Sequence, residues 1–133
     1  MESIMPSPFL RRVLLLDAAS CLGMGLLLAA VAGPLARWFH LPVALLWQSG
    51  VFLLVFAGLL LWMATRAAVP RLLVWAVIIG NALWALDSVL LLASGWVAPN
   101  ALGGVFITAQ ALVVGVLAAL EHAGLRRSAP LAA

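Results

Sequence analysis

Four apolar runs, at about residues 10–32, 43–65, 71–93 and 99–121, dominate the sequence. Each is about 22 residues long, and about 20 residues of helix cross the hydrocarbon core of a bilayer. Backbone in lipid must satisfy its own polar groups, so such runs read as helices. The gaps are short and hold helix breakers. Gly33-Pro34 and Leu41-Pro42 bracket the first, Val69-Pro70 marks the second, and Ser94-Gly95 through Pro99-Asn100 fill the third. Proline suits a helix start, where its missing N–H would be unpaired anyway. The pattern predicts an all-α membrane protein, a single four-transmembrane-helix bundle over residues 1–133. Residues 1–9 and 125–133 are expected to be short tails.

Composition removes the competing classes. Charged residues make up 8% of the chain and hydrophobic residues 67%, whereas a soluble domain carries about 25% charged residues. A soluble enzyme, a nucleic-acid binder and a disordered chain are all excluded. The net charge of +3 sits in short arginine clusters beside the apolar runs, where arginines set topology and meet anionic lipid. With one cysteine, Cys21, no intramolecular disulfide, zinc site or iron–sulfur site can be built. The first run has a basic start and a small-residue stretch, Ala30-Val31-Ala32, like a signal peptide. Its length and Asp17 point instead to a retained span.

Arginine placement gives an orientation. Arg11, Arg12, Arg66, Arg71, Arg126 and Arg127 fall on one side and Arg37 alone on the other. The positive-inside rule then puts both termini in the cytoplasm, N-in/C-in. Tryptophans fit two interfacial belts, with Trp38, Trp47 and Trp96 outside and Trp62 and Trp75 inside; Trp84 falls within the third span.

Polar residues inside spans are costly and mark contacts or sites. At ~1.5 Å rise per residue, Asp17 lies roughly 10 Å from the cytoplasmic edge, while Asn81, Gln110 and Thr108 reach mid-bilayer. Gln48, Asp87 and Ser88 lie roughly 24 Å from that edge. Two interhelical pairs are expected on this basis, Asn81 with Gln110 and Gln48 with Asp87. The segment around Gly80-Asn81 gathers the candidate intramembrane site: Gln48, Asn81, Trp84, Asp87 and Ser88, with Asp17, Thr108 and Gln110 as secondary polar residues. It reads either as hydrogen-bonded helix packing or as a small cavity for a proton, a cation or a small amine. Asp17 and Asp87 differ by about 13 Å in depth and cannot form one carboxylate pair. His40 and His122 fall on opposite faces and cannot share a haem. Glu121, beside His122, is placed at the end of the fourth span. No catalytic triad, phosphate loop or cofactor fingerprint is present, so no cofactor and no metal are expected. Gly25 with Ala29, and Gly104, Thr108, Ala111, Gly115 and Ala119, form small-residue stripes that suit close helix approach.

Leu16-Asp17-Ala18-Ala19, Gly33-Pro34-Leu35-Ala36, Gly80-Asn81-Ala82-Leu83-Trp84, Ser94-Gly95-Trp96 with Pro99, Ala109-Gln110-Ala111 through Glu121, and Gly124-Leu125-Arg126-Arg127 resemble a group of small, functionally uncharacterised bacterial four-helix membrane proteins. The resemblance spans nearly the whole chain. It implies a bacterial inner (cytoplasmic) membrane location and carries no site roles. The chain is also similar to small multidrug resistance exporters in its four short helices and its acidic residue in the first span, here Asp17. Those exporters use Glu at that position, and their weak basic bias accompanies antiparallel pairing, unlike the six-to-one bias here.

The functional expectation is a non-enzymatic accessory or scaffold protein. It would act by helix packing with itself or with a larger membrane complex, with membrane lipids as its other partners and no nucleic acid. The alternatives are a small proton-coupled transporter or channel using Asp87, Asn81 and Trp84, or a bundle that binds a lipid, quinone or pigment.

Overall fold

The structure, a computed structural model, describes residues 2–131. Four long helices are apolar enough to cross a membrane: α1 (Pro8–Ala30), α3 (Val43–Thr65), α4 (Arg71–Ser94) and α5 (Ala101–Arg126). A short helix, α2 (Ala32–Phe39), occupies the first connection. The protein is a small, multi-pass, all-α membrane protein.

The local chemistry explains most boundaries. Ser7 caps α1, its Oγ accepting from Leu10 N at 3.0 Å, with Pro8 in the first turn. Pro42 and Pro70 hold extended backbone immediately before α3 and α4. Gly95 ends α4 in the left-handed region, φ 77°, which glycine enters without steric cost. Asn100 opens α5: its Oδ1 accepts from Gly103 N at 2.8 Å, and its Nδ2 donates to Trp38 O at 2.6 Å.

Two boundaries differ from the sequence expectation. Gly33-Pro34 does not break the chain; it lies in the first turn of α2, where a missing N–H removes no intrahelical bond. The fourth span also starts later, because Asn100 rather than Pro99 supplies the cap, and it continues past 121 to Arg126. That longer α5 brings Glu121 inside the helix and changes which residues share a depth.

The expected tails are tied down. β1 (Ser3–Met5) pairs antiparallel with β2 (Val69–Pro70) and β3 (Ala129–Pro130) in the order β2-β1-β3. The prolines sit on the outer strands, which need no ladder donor on their free edge. Ile4 and Val69 are fully buried beneath this cap. Arg11 Nη1 reaches across to accepting carbonyls of Ala64, at 2.5 Å, and Arg66, at 2.9 Å, where α3 ends and its carbonyls lack partners. Both described chain ends and the α3–α4 turn therefore share one end of the bundle.

The helices pack in the order α3–α1–α5–α4, and the remaining α3–α4 edge closes through side chains. The α1–α3 contact is set by glycines: a Cβ on Gly50 would lie 2.6 Å from Ala29 N, and one on Gly25 would lie 2.9 Å from Gly50 O. Gly50→Ala is accordingly expected to destabilise the protein by about 1–3 kcal/mol, seen as a lower midpoint in detergent thermal unfolding. Gly23→Ala, where a Cβ meets nothing within 4 Å, should leave the midpoint unchanged or raise it slightly.

Candidate functional site

Each long helix buries a seam whose residues recur at alternating spacings of about four and three, the spacing of packed helices. On α3 the seam is wholly apolar: Leu46, Gly50, Leu53, Ala57, Leu60 and Ala64. On the other three it is interrupted by polar groups. Asp17 follows Leu10, Leu14 and precedes Cys21 on α1; Asn81 follows Val74, Val77 and Ile78 on α4; Glu121 follows Ile107, Ala111 and Ala118 on α5. Packing these seams together places the three polar groups in one cluster.

Asn81 is its centre. Its Nδ2 donates to Asp17 Oδ2 at 2.8 Å and to Glu121 Oε1 at 2.6 Å. The two hydrogens of one amide thus bridge two carboxyl groups from different helices. The Cys21 thiol donates to Asp17 Oδ1 at 3.4 Å. Asp17, Asn81 and Glu121 are 1%, 5% and 0% exposed. Glu121 Oε2 is buried with no hydrogen-bond partner. No cation neutralises the pair among the described residues, whose ion pair, Glu2 with Arg71 at 3.7 Å, lies on the surface.

A second polar layer sits towards the other end of the bundle. Trp84 Nε1 donates to Gln110 Oε1 at 2.8 Å; Gln110 Nε2 donates to Ser88 Oγ at 2.8 Å and to Ile107 O at 3.0 Å; Ser88 Oγ donates to Trp84 O at 2.8 Å. This circuit links α4 to α5 and fixes the Trp84 indole, which also stacks on Phe52 with centroids 5.7 Å apart.

A cleft of about 260 Å³ joins the two layers, with Asp17, Cys21, Trp84, Phe106 and Gln110 on its walls. Exposed Ser20, Ala109 and Val113 also line it, so it faces outwards between α1 and α5. A smaller chamber of about 80 Å³ shares Trp84, Phe106 and Gln110 and extends to Leu41 and Leu45. One water occupies ~30 Å³ in the liquid, so the cleft has room for several waters or a small organic group. The walls supply one carboxyl group, that of Asp17, an indole and a carboxamide. That set can hold a proton or a small cation.

Several expected placements need correction. Asn81 does not pair with Gln110. With α5 running to Arg126, Gln110 lies roughly 24 Å from the terminus-bearing end and Asn81 roughly 15 Å. Asn81 therefore meets Asp17 and Glu121, while Gln110 meets Trp84 and Ser88. Gln48 does not pair with Asp87 within the chain. Both are exposed and off the buried seams, and among the described residues neither side chain forms a hydrogen bond. Thr108 is exposed on the outer groove between α4 and α5. Among the small residues, Ala111 is buried and Gly115 approaches Ala85, but nothing lies within 4 Å of a Cβ on Gly104.

Glu121 was missed as a member of the cluster, although its spacing from Ile107, Ala111 and Ala118 carried the signal. The same reading rejects Asp87, which falls between the buried positions Asn81 and Ser88 rather than on their seam. No group of three or more His, Cys, Asp or Glu able to hold a metal occurs among the described residues. Compared with known protein families, curated proteins and solved structures, the chain matches none.

Proposed function

We propose that this protein is a small proton-coupled carrier of a bacterial inner membrane, with Asp17 and Glu121 as its proton-binding groups. The observation that carries the reading is the buried pair of carboxyl groups on one Asn81 amide, with Glu121 Oε2 unpartnered. Two like charges in a shared low-dielectric site repel, and an isolated buried charge is costly. A proton held by the pair lowers both costs and supplies a donor where one is lacking. The adjoining cleft gives the site its exchange partner. A small cation or protonated amine entering it gains a carboxylate and the indole face of Trp84. Proton and cation then compete at the Asp17 carboxyl group, and competition for one site couples the two binding events reciprocally.

Six of the seven arginines lie at the end of the bundle that carries both termini, which favours a cytoplasmic location for that end. In this orientation Glu121 lies about five residues, roughly 8 Å, from the inner end of α5, and the cleft lies above it.

The test is solute-driven proton movement in liposomes. An inward gradient of a small lipophilic amine or quaternary cation should drive proton release from vesicles holding the protein. Asp17→Asn should abolish the response, whereas Asp87→Asn should leave it within about twofold of wild type. A response that survives Asp17→Asn, or dies with Asp87→Asn alone, would refute the assignment.

A second reading, a non-enzymatic accessory or scaffold protein, is favoured by a different observation. Asp87 and Gln48 point away from the bundle at membrane depth, where a protein partner would satisfy them.

A further inference from the structure

The outward faces of α3 and α4 carry a pattern of their own. Only 17% of the most apolar window of α4 and 22% of that of α3 is buried, against 39% for α1. On α3, Gln48, Val51, Val55, Gly58 and Trp62 are all exposed and recur at spacings of three and four. On α4, Gly80, Leu83, Asp87, Leu90 and Ser94 do the same. This is the spacing of a helix–helix seam, yet it faces away from the core.

The two seams share one side of the molecule. Phe52 of α3 stacks on Trp84 of α4 across the α3–α4 edge. At 100° per residue, the order around α3 is buried seam, Phe52, exposed seam; around α4 it is buried seam, Trp84, exposed seam. Because the two rings face each other, both exposed seams emerge on the same outer face.

That face is not suited to lipid. Carboxylates within spans almost always face protein or water, and Asp87 lies seven residues, roughly 10 Å, inside the end of α4. Gln48, the exposed donor of α3, lies five residues, roughly 8 Å, inside the same end. We infer that this face is covered by a second copy of the chain, related by a two-fold axis along the membrane normal. Such an axis sets α4 of each protomer antiparallel against the partner's α3 and makes every contact twice. Asp87 then accepts from the partner's Gln48, at matching depth. Gly80 and Gly58 lie roughly 14 Å and 10 Å from the opposite end. A Cβ on either meets nothing within 4 Å in the single protomer, so the backbones can close there. The polar complementarity of Asp87 and Gln48, each unsatisfied alone, selects a second copy over an apolar occupant.

The inference is independent of transport and is tested by cross-linking in membranes. Two differently tagged chains are co-expressed in a Cys21→Ser background, one with Gln48→Cys and one with Asp87→Cys. Oxidation should give a covalent heterodimer of twice the monomer mass. Asp87→Cys with Leu112→Cys, a pair that adds the exposed face of α5, should give none. No cross-link with the first pair, or equal yield from both, would overturn the interface. A second measurement keeps the native cysteine. Asp87→Leu, which keeps an apolar surface, should weaken dimerisation in bilayers roughly tenfold, because two interhelical pairs are lost. Single-molecule photobleaching in vesicles reads this directly. A wild type that stays monomeric, or an Asp87→Leu dimer of undiminished affinity, would contradict it.

Discussion

Replacing Glu121 by Gln is expected to reduce solute-driven proton movement at least tenfold, to the level of empty vesicles, while leaving the helix bundle intact. The glutamine is nearly isosteric. Its carbonyl oxygen can still accept from Asn81, the contact that Glu121 Oε1 makes at 2.6 Å, and its amide can donate to Asp17. What is lost is the titratable oxygen, Oε2, which is buried and unpartnered in the wild type. One proton-binding group of the pair is then gone, and the remaining Asp17 sits between two amides that hold it as a fixed acceptor. Proton flux in proteoliposomes checks the loss, and circular dichroism with size-exclusion elution checks the fold. A Glu121→Gln protein that still couples solute and proton would place the coupling elsewhere.

The second large effect concerns stability. Asn81→Leu removes the one donor that both carboxyl groups share. Two buried groups lose a partner, and leaving each unsatisfied costs about 1–3 kcal/mol. The expected loss is therefore about 2–6 kcal/mol, read as a large fall in the detergent unfolding midpoint and in the yield of monodisperse protein. The triple variant Asp17→Leu, Asn81→Leu, Glu121→Leu should recover most of that loss, because replacing all partners by apolar groups of similar shape is close to neutral. It should be inactive in transport. Recovery of fold without recovery of flux would mark the cluster as a site retained for chemistry, whereas a triple variant no more stable than Asn81→Leu would mark it as a packing element.

The four long helices were legible because length and hydropathy mark them. Four runs of span length leave few arrangements, and Pro42, Pro70, Gly95 and Asn100 mark the turns through conformational limits that hold in any context. The site was only partly legible. Asp17, Asn81, Trp84, Ser88 and Gln110 were named, and the structure places all five along the bundle interior. Their partnering was not, because a depth ledger depends on where each helix begins and ends. Extending α5 by five residues to Arg126 moved Gln110 away from Asn81 and brought in Glu121. Asp87 drew attention through its charge, yet facing is set by periodicity, and its position lies off the buried seam of α4. The strands at the terminus-bearing end were illegible for another reason. Two- and three-residue strands have no periodicity, and only the convergence of Ser3–Met5, Val69–Pro70 and Ala129–Pro130 in space creates them.

The central claim is that Asp17 and Glu121 hold an exchangeable proton between them. Infrared difference spectroscopy of the protein in lipid bilayers tests it most directly. The account predicts a carboxylic-acid carbonyl band at neutral pH that shifts in heavy water, disappears in the Asp17→Asn, Glu121→Gln double variant, and persists in Asp87→Asn. A band absent from the wild type, or one that vanishes with Asp87→Asn alone, would contradict it.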